Sequence, residues 1–435
     1  MKKINFTGVN ALQLFQLIRY GTLFLIGILL SKSGIGQTAI GQYEMFVLIT
    51  GAFTFFWVNG FLKVLMPVWV EKDETERPSL LFNIFILLSV FSALAALSLF
   101  FLKDVVSQLL LNGSEVPLPG VLALYIFINS PALMVEYVYL LKNRSGRIVL
   151  YGVVTFALQL LVVGVPPFFG YGLETILYGL LGVSVLRYLW LLIILKQNAK
   201  ARIDTACLKE YIHYGYPLVL STLLGSSARY IDGFIITSQF TPREFAVFQY
   251  GARELPLALL LSNSLSMAML SKFARKDIAS PLAEFRSEVY RLHWYLFPVS
   301  IVLMLTSHWL FPILFNSSFE GSATIFNIYL LLLFSRLLFP QTIITAKKMN
   351  RYIVQASFFE IVLNVALSVI LSKTMGIAGV AYATVVAYIF EKIYLLVILK
   401  KKLHISLNDI LPVKIFTVMS MLLLLSFILS EFLIR

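Results

Sequence analysis

The chain has 435 residues, of which 59% are hydrophobic and only 13% charged, with a mean hydropathy of +0.87. A soluble domain of this size needs more charge on its surface, so the composition excludes a water-soluble globular protein. The single cysteine, Cys207, excludes a disulfide framework and a cysteine-based metal site, and four scattered histidines argue against a catalytic metal centre.

Apolar stretches long enough to span a bilayer recur from one end to the other. They predict thirteen spans, at about 6–30, 42–65, 79–102, 119–141, 148–169, 172–196, 211–238, 244–271, 292–315, 322–346, 352–373, 375–400 and 410–433. The first is no cleavable signal, because it is long, carries Arg19 and lacks a small-residue cleavage site. When lysine and arginine are sorted by alternate loops, 22 fall on one side and 5 on the other, with eight inside or at the edges of spans. The positive-inside rule then places the N-terminus in the cytoplasm. The formal net charge of +13 is therefore topological, and no nucleic-acid partner is expected. All loops are short, which leaves no room for the outer catalytic domain of a membrane glycosyltransferase or polymerase. No nucleotide-binding loop or Ser/His/Asp arrangement is visible, so the chain is not expected to be an enzyme or to need a cofactor.

The chain also aligns with itself. Residues 140–196 match 344–400 without a gap: Arg147 meets Arg351, Gly172 meets Gly376 and Tyr178 meets Tyr382. Earlier, Arg19-Tyr20 meets Arg229-Tyr230 and Gln42-Tyr43 meets Gln249-Tyr250. Six spans per unit is an even number, so both units keep one orientation. The expected fold is an all-α polytopic membrane protein: two six-helix bundles as parallel repeats around a central cleft, plus an extra C-terminal helix. The corresponding boundaries are 1–198, 199–402 and 403–435.

Charges inside the spans are the chemical signal. Arg19, Arg229, Arg253 and Arg336 each lie roughly 13–17 Å from one end of their span, at about 1.5 Å per residue, close to the centre of a core about 30 Å thick. A guanidinium does not escape burial by losing its proton, so such positions are costly and point to function. Its fork matches phosphate oxygens, which makes these four arginines candidate contacts for an anionic substrate. The bland alternative is interior pairing with carboxylates. Asp232 follows Arg229 at i+3, on the same helical face. Arg336 has room for a partner on a neighbouring helix, and Arg187 and Glu391 occupy equivalent repeat positions and are candidates to pair. Asp232, Glu254, Glu360 and Glu391 are candidates for coupling to a proton or sodium ion, against the reading that they merely balance arginines. Pro256, directly after Arg253-Glu254-Leu255, predicts a kink that exposes backbone. Gly376 and Gly379 predict close helix packing.

Four stretches carry a family likeness: Gly36-Gln37-Thr38-Ala39-Ile40-Gly41-Gln42-Tyr43; Tyr214-Gly215-Tyr216-Pro217 followed by Asp232; Tyr250-Gly251-Ala252-Arg253-Glu254-Leu255-Pro256; and Asn364 followed by Gly376-Ile377-Ala378-Gly379-Val380-Ala381-Tyr382-Ala383-Thr384. In order and spacing they resemble the Wzx-type oligosaccharide flippases, in the superfamily that also holds MATE exporters and the lipid II flippase. The tyrosine-glycine order of the first stretch is not kept, and a thirteenth span departs from the family's twelve or fourteen. The resemblance implies movement of undecaprenyl-diphosphate-linked oligosaccharide across the inner membrane, for surface polysaccharide such as O-antigen. Expected partners are that substrate, membrane lipids and other polysaccharide-assembly proteins, with the transporter acting as a monomer. The rivals are a MATE-like exporter of small organic molecules and, less favoured, a membrane glycosyltransferase or polymerase.

Overall fold

Helices make up nearly all of the chain, as apolar runs of this length require, because a backbone in hydrocarbon must satisfy its hydrogen bonds within itself. The structure is a computed structural model that describes residues 8–274 and 279–434, without the side chains of residues 8, 9, 226, 228, 229, 256, 257 and 434. The charges of Lys2, Lys3, Arg275, Lys276 and Arg435, and the side chain of Arg229, therefore lie outside the described residues.

Among the described residues eleven helices are long and apolar enough to cross a membrane. They coincide with the expected spans except those at 211–238 and 244–271, and the chain is a multi-pass membrane protein. Each of these two stretches is also broken. The first divides into Thr205–Ser226 and Ala228–Gln239 at a Gly225-Ser226-Ser227 step, a usual place for a helix to bend. The second divides into Pro242–Gly251 and Pro256–Phe273. Proline lacks a backbone N–H and drives the preceding residue out of the helical region; Leu255 sits at φ −61, ψ 115. The expected kink is a four-residue gap. A third interrupted stretch runs through Glu320–Leu330, Leu333–Arg336 and Pro340–Ala346, the last again begun by a proline.

The chain forms two compact units, Met1–Tyr230 with Thr237–Arg243, and Ile231–Ile236 with Glu244–Arg435. In the first, the 35-residue helix Gln37–Glu71 lies at the centre, with two-thirds of its apolar window buried. Trp57, Phe61 and Leu65 on this helix share a core with Leu88, Tyr151, Leu191 and Ile194. The surrounding helices leave Leu94, Leu97, Leu161 and Ile193 exposed, as lipid-facing surfaces require.

In the second unit, Asn350–Met375 and Ile377–Leu403 form a hairpin joined by one residue, Gly376, whose φ of +59 suits glycine far better than any residue with a Cβ. At Gly379 a Cβ would fall 2.3 Å from the Leu371 carbonyl oxygen, so the expected close packing is found there. The extra C-terminal helix, Val413–Leu429, packs on Ala279–Leu314 and ends in a π-helical turn at Ser430–Ile434. That turn buries a carboxylate. Glu431 accepts hydrogen bonds from Asn327 Nδ2 at 2.7 Å and Thr324 Oγ1 at 2.9 Å, and His308 Nε2 lies 3.0 Å from it. Ser430 Oγ donates to the Met304 carbonyl at 2.8 Å. The thirteenth helix is thus fastened at its end by polar groups of two other helices. Glu431→Ala would strand these donors and is expected to cost about 3 kcal/mol. The check is a lower thermal midpoint in detergent, and an unchanged midpoint would show that the fastening contributes little.

Candidate functional site

In the first unit the cationic residues stand on three helices. Arg19 is exposed on Gly8–Lys32. It is near enough to Glu136 and Arg187 for their charges to interact, yet no carboxylate lies within ion-pair distance among the described residues. Arg187 is buried and satisfied. It donates to Gln159 Oε1 at 2.8 Å and stacks 4.9 Å from the Phe156 ring. Its described partner is thus Gln159, on the adjacent Ser145–Gly164 helix, while Glu391 is paired with Lys392. A further cation is Lys63, exposed on Gln37–Glu71 one turn beyond the exposed Asn59. Its ammonium reaches Thr222 Oγ1 at 3.4 Å.

In the second unit the helix breaks assemble the polar groups. Arg253 and Glu254 lie in the non-helical residues 252–255, which frees them from the helix rule that neighbours point about 100° apart. Arg253 turns over the Tyr250 ring at 4.9 Å. Glu254 is gripped in a bidentate pair by Arg336, at 2.8 and 2.6 Å, and Arg336 also stacks 4.8 Å from Tyr388. Such a fork is a strong, directional contact, so Arg336 is already engaged. Glu391 is likewise neutralised, by Lys392 at 2.9 Å, and accepts from Gln341 at 2.6 Å.

Asp232 and Glu360 are different. Asp232 is 3% exposed and accepts from Thr384 Oγ1 at 2.7 Å and Tyr329 Oη at 3.5 Å, while its Oδ1 has no partner among the described residues. Asn364 and Ser368 extend the same group: Asn364 Nδ2 donates to Thr384 Oγ1 at 3.4 Å, and Ser368 Oγ donates to Asn364 Oδ1 at 2.9 Å. Glu360 is 5% exposed, its Oε1 has no partner, and its charged neighbours are Glu391, Asp232, Lys392 and Arg336. The expected Arg229–Asp232 pair involves a side chain outside the described residues.

Of the four carboxylates singled out in the sequence, the fold therefore neutralises two, and the other two have no paired cation among the described residues. An unpaired buried carboxylate is costly and is relieved by taking up a proton or a small cation. Hydroxyl and amide oxygens beside Asp232 suit either ligand.

A sequence profile of the polysaccharide biosynthesis protein family matches residues 29–324, more than half of the chain. The chain belongs to that family. No curated protein matches it significantly in sequence, but solved structures match it in fold. The lipid II flippase MurJ, in an inward closed conformation, superposes with a TM-score of 0.72 at 19% identity, covering 96% of this chain and 93% of that one. A multidrug resistance MATE family transporter of the MOP superfamily, in an inward-facing conformation, gives 0.66 at 13% identity, covering 96% and 99%. A mutant of the Vibrio cholerae MATE transporter VcmN gives 0.53 at 15% identity, covering 92% and 99%. The all-α membrane architecture expected of a polysaccharide flippase of this superfamily is the one found.

For this member of the polysaccharide biosynthesis family, sequence reading passed over Lys63, Lys392 and Gln341. The two lysines carried the same signal as the arginines, a charge inside an apolar run. Gln341 carried none, because a neutral amide costs a span far less than a charge.

Proposed function

We propose that this protein is a flippase that moves a lipid-diphosphate-linked oligosaccharide across the bacterial inner membrane by alternating access of its two six-helix repeats, residues 1–198 and 199–402. The observation that carries the reading is Arg19: an exposed guanidinium at mid-span depth with no carboxylate in ion-pair range among the described residues. That is what a diphosphate needs, and what a charge serving only the fold would lack. Arg253 is the second headgroup contact, with Arg229 assisting. Arg336 serves mainly to hold Glu254. Asp232 and Glu360 bind the coupling proton or cation, while Glu254 and Glu391 remain neutralised by their basic partners.

The test is transport in reconstituted vesicles, with a polyprenyl-diphosphate oligosaccharide and a lipophilic cationic dye offered in parallel. Diphosphate-dependent movement of the oligosaccharide, without accumulation of the dye, is the expected result. Dye transport with no movement of the oligosaccharide would instead assign the chain to small-molecule export.

A further inference from the structure

The helix Ala279–Leu314 is longer than a membrane is thick. Its 36 residues rise about 54 Å, against roughly 40–45 Å for a bilayer with its headgroups. Its glutamates and arginines, Glu284, Arg286, Glu288 and Arg291, all lie near its start. The exposed Tyr290, Trp294 and Tyr295 stand beside them, and exposed aromatic rings of this kind mark the membrane–water interface. At that level the helix meets the start of the thirteenth helix, Val413–Leu429, and the two border a cavity of about 600 Å³. Small-molecule sites fall in the range of roughly 300–1,000 Å³. Arg286, Ser287 and Tyr290 line it from one helix, and Lys414 lines it from the other, beside Val413 and Ile415.

The lining holds two cations and, among the described residues, no carboxylate. The acids nearest in sequence are already engaged. Glu284 pairs with Lys272, and Glu288 pairs with Arg291 at 2.9 Å. Asp409 accepts from the Ser406 N–H at 2.7 Å and from Ser406 Oγ at 2.8 Å. Arg286 and Lys414 make no ion pair among the described residues. Two cations on one cavity repel each other, and an anion between them relieves that cost. The guanidinium fork of Arg286 matches phosphate oxygens, and the Ser287 and Tyr290 hydroxyls add neutral donors.

The walls also indicate what carries the phosphate. Lys414, Val418, Met421, Leu422 and Leu425 follow helical spacing along one face of Val413–Leu429, and all five are exposed. An apolar stripe therefore leads from the cavity into the bilayer. We propose that this cavity binds the headgroup of an anionic phospholipid, with Arg286 and Lys414 on its phosphate and an acyl chain along the stripe. Basic pockets between membrane helices suit such headgroups. The lipid would tie the thirteenth helix to Ala279–Leu314 at this end, as Glu431 does at the other. The site is separate from the transport pathway proposed above and does not depend on the substrate.

The test uses the full-length protein in an uncharged detergent, titrated with dioctanoyl phosphatidylglycerol. Bound lipid is counted by native mass spectrometry, and the thermal midpoint is followed on the same samples. Arg286→Gln with Lys414→Gln is expected to weaken lipid retention about 30-fold. Lys400→Gln with Lys401→Gln removes the same charge from exposed positions outside the cavity, and is expected to change retention by less than about twofold. Phosphatidylglycerol should raise the midpoint of the unaltered protein, whereas inorganic phosphate and dioctanoyl phosphatidylcholine at the same concentration should not. Undiminished retention in the Arg286/Lys414 variant would overturn the site, as would an equal loss in the Lys400/Lys401 variant. A midpoint raised as much by inorganic phosphate as by phosphatidylglycerol would overturn the lipid as its occupant.

Discussion

Arg19→Ala is expected to lower transport of a diphosphate-linked substrate about 30- to 100-fold at normal expression, the loss of one charge-assisted contact worth about 2–3 kcal/mol. Arg19→Lys should keep the charge but lose the fork, and recover only part of the rate. Arg19 makes no ion pair among the described residues, so its removal should change the thermal midpoint little. Arg187→Ala makes the contrast. Arg187 is buried and bonded to Gln159, and its loss should show as instability. Arg253→Ala, next to the break at residues 252–255, is expected to behave like Arg19→Ala. Complementation and vesicle transport together check the set, and full activity in both the Arg19 and Arg253 variants would remove the headgroup role.

Asp232→Asn combined with Glu360→Gln is expected to abolish ion-dependent transport while leaving stability unchanged or raised. Each substitution removes a buried charge that has no paired cation among the described residues, and so removes an electrostatic cost. Glu254→Gln should behave in the opposite way. It would leave the Arg336 guanidinium without its bidentate partner, at a cost of about 3–5 kcal/mol. This opposition of sign separates coupling carboxylates from structural ones in a single experiment, with thermal midpoint and transport against a proton or sodium gradient measured on the same samples. A double variant whose transport keeps its ion dependence would show that coupling lies elsewhere.

The fold was largely legible in the residues. Span positions followed from uninterrupted apolar runs, and the thirteenth span was legible for the same reason. The breaks were legible only where a proline marks them: Pro256 announced an interruption, whereas the Gly225-Ser226-Ser227 step was overlooked inside an apolar run. The candidate site was legible as a set of charged positions but not as a set of pairs. Helical spacing offers Asp232 a partner in Arg229, whose side chain lies outside the described residues, while its described partners, Thr384 and Tyr329, come from helices far along the chain. Arg253 and Glu254 are adjacent in sequence, but the unwound segment delivers that carboxylate to Arg336, 82 residues away.

By itself the sequence determined that this is a multi-pass membrane protein, where eleven of its spans lie, and which charges fall inside apolar runs. Each is a property of contiguous chain measured against the fixed thickness and polarity of a bilayer. Only the tertiary structure decided which of those charges are neutralised. An ion pair depends on two side chains meeting within 4 Å, and here the partners come from separate helices and from segments that proline has unwound. Whether a buried carboxylate holds an arginine in place or waits for a proton is a matter of what stands opposite it.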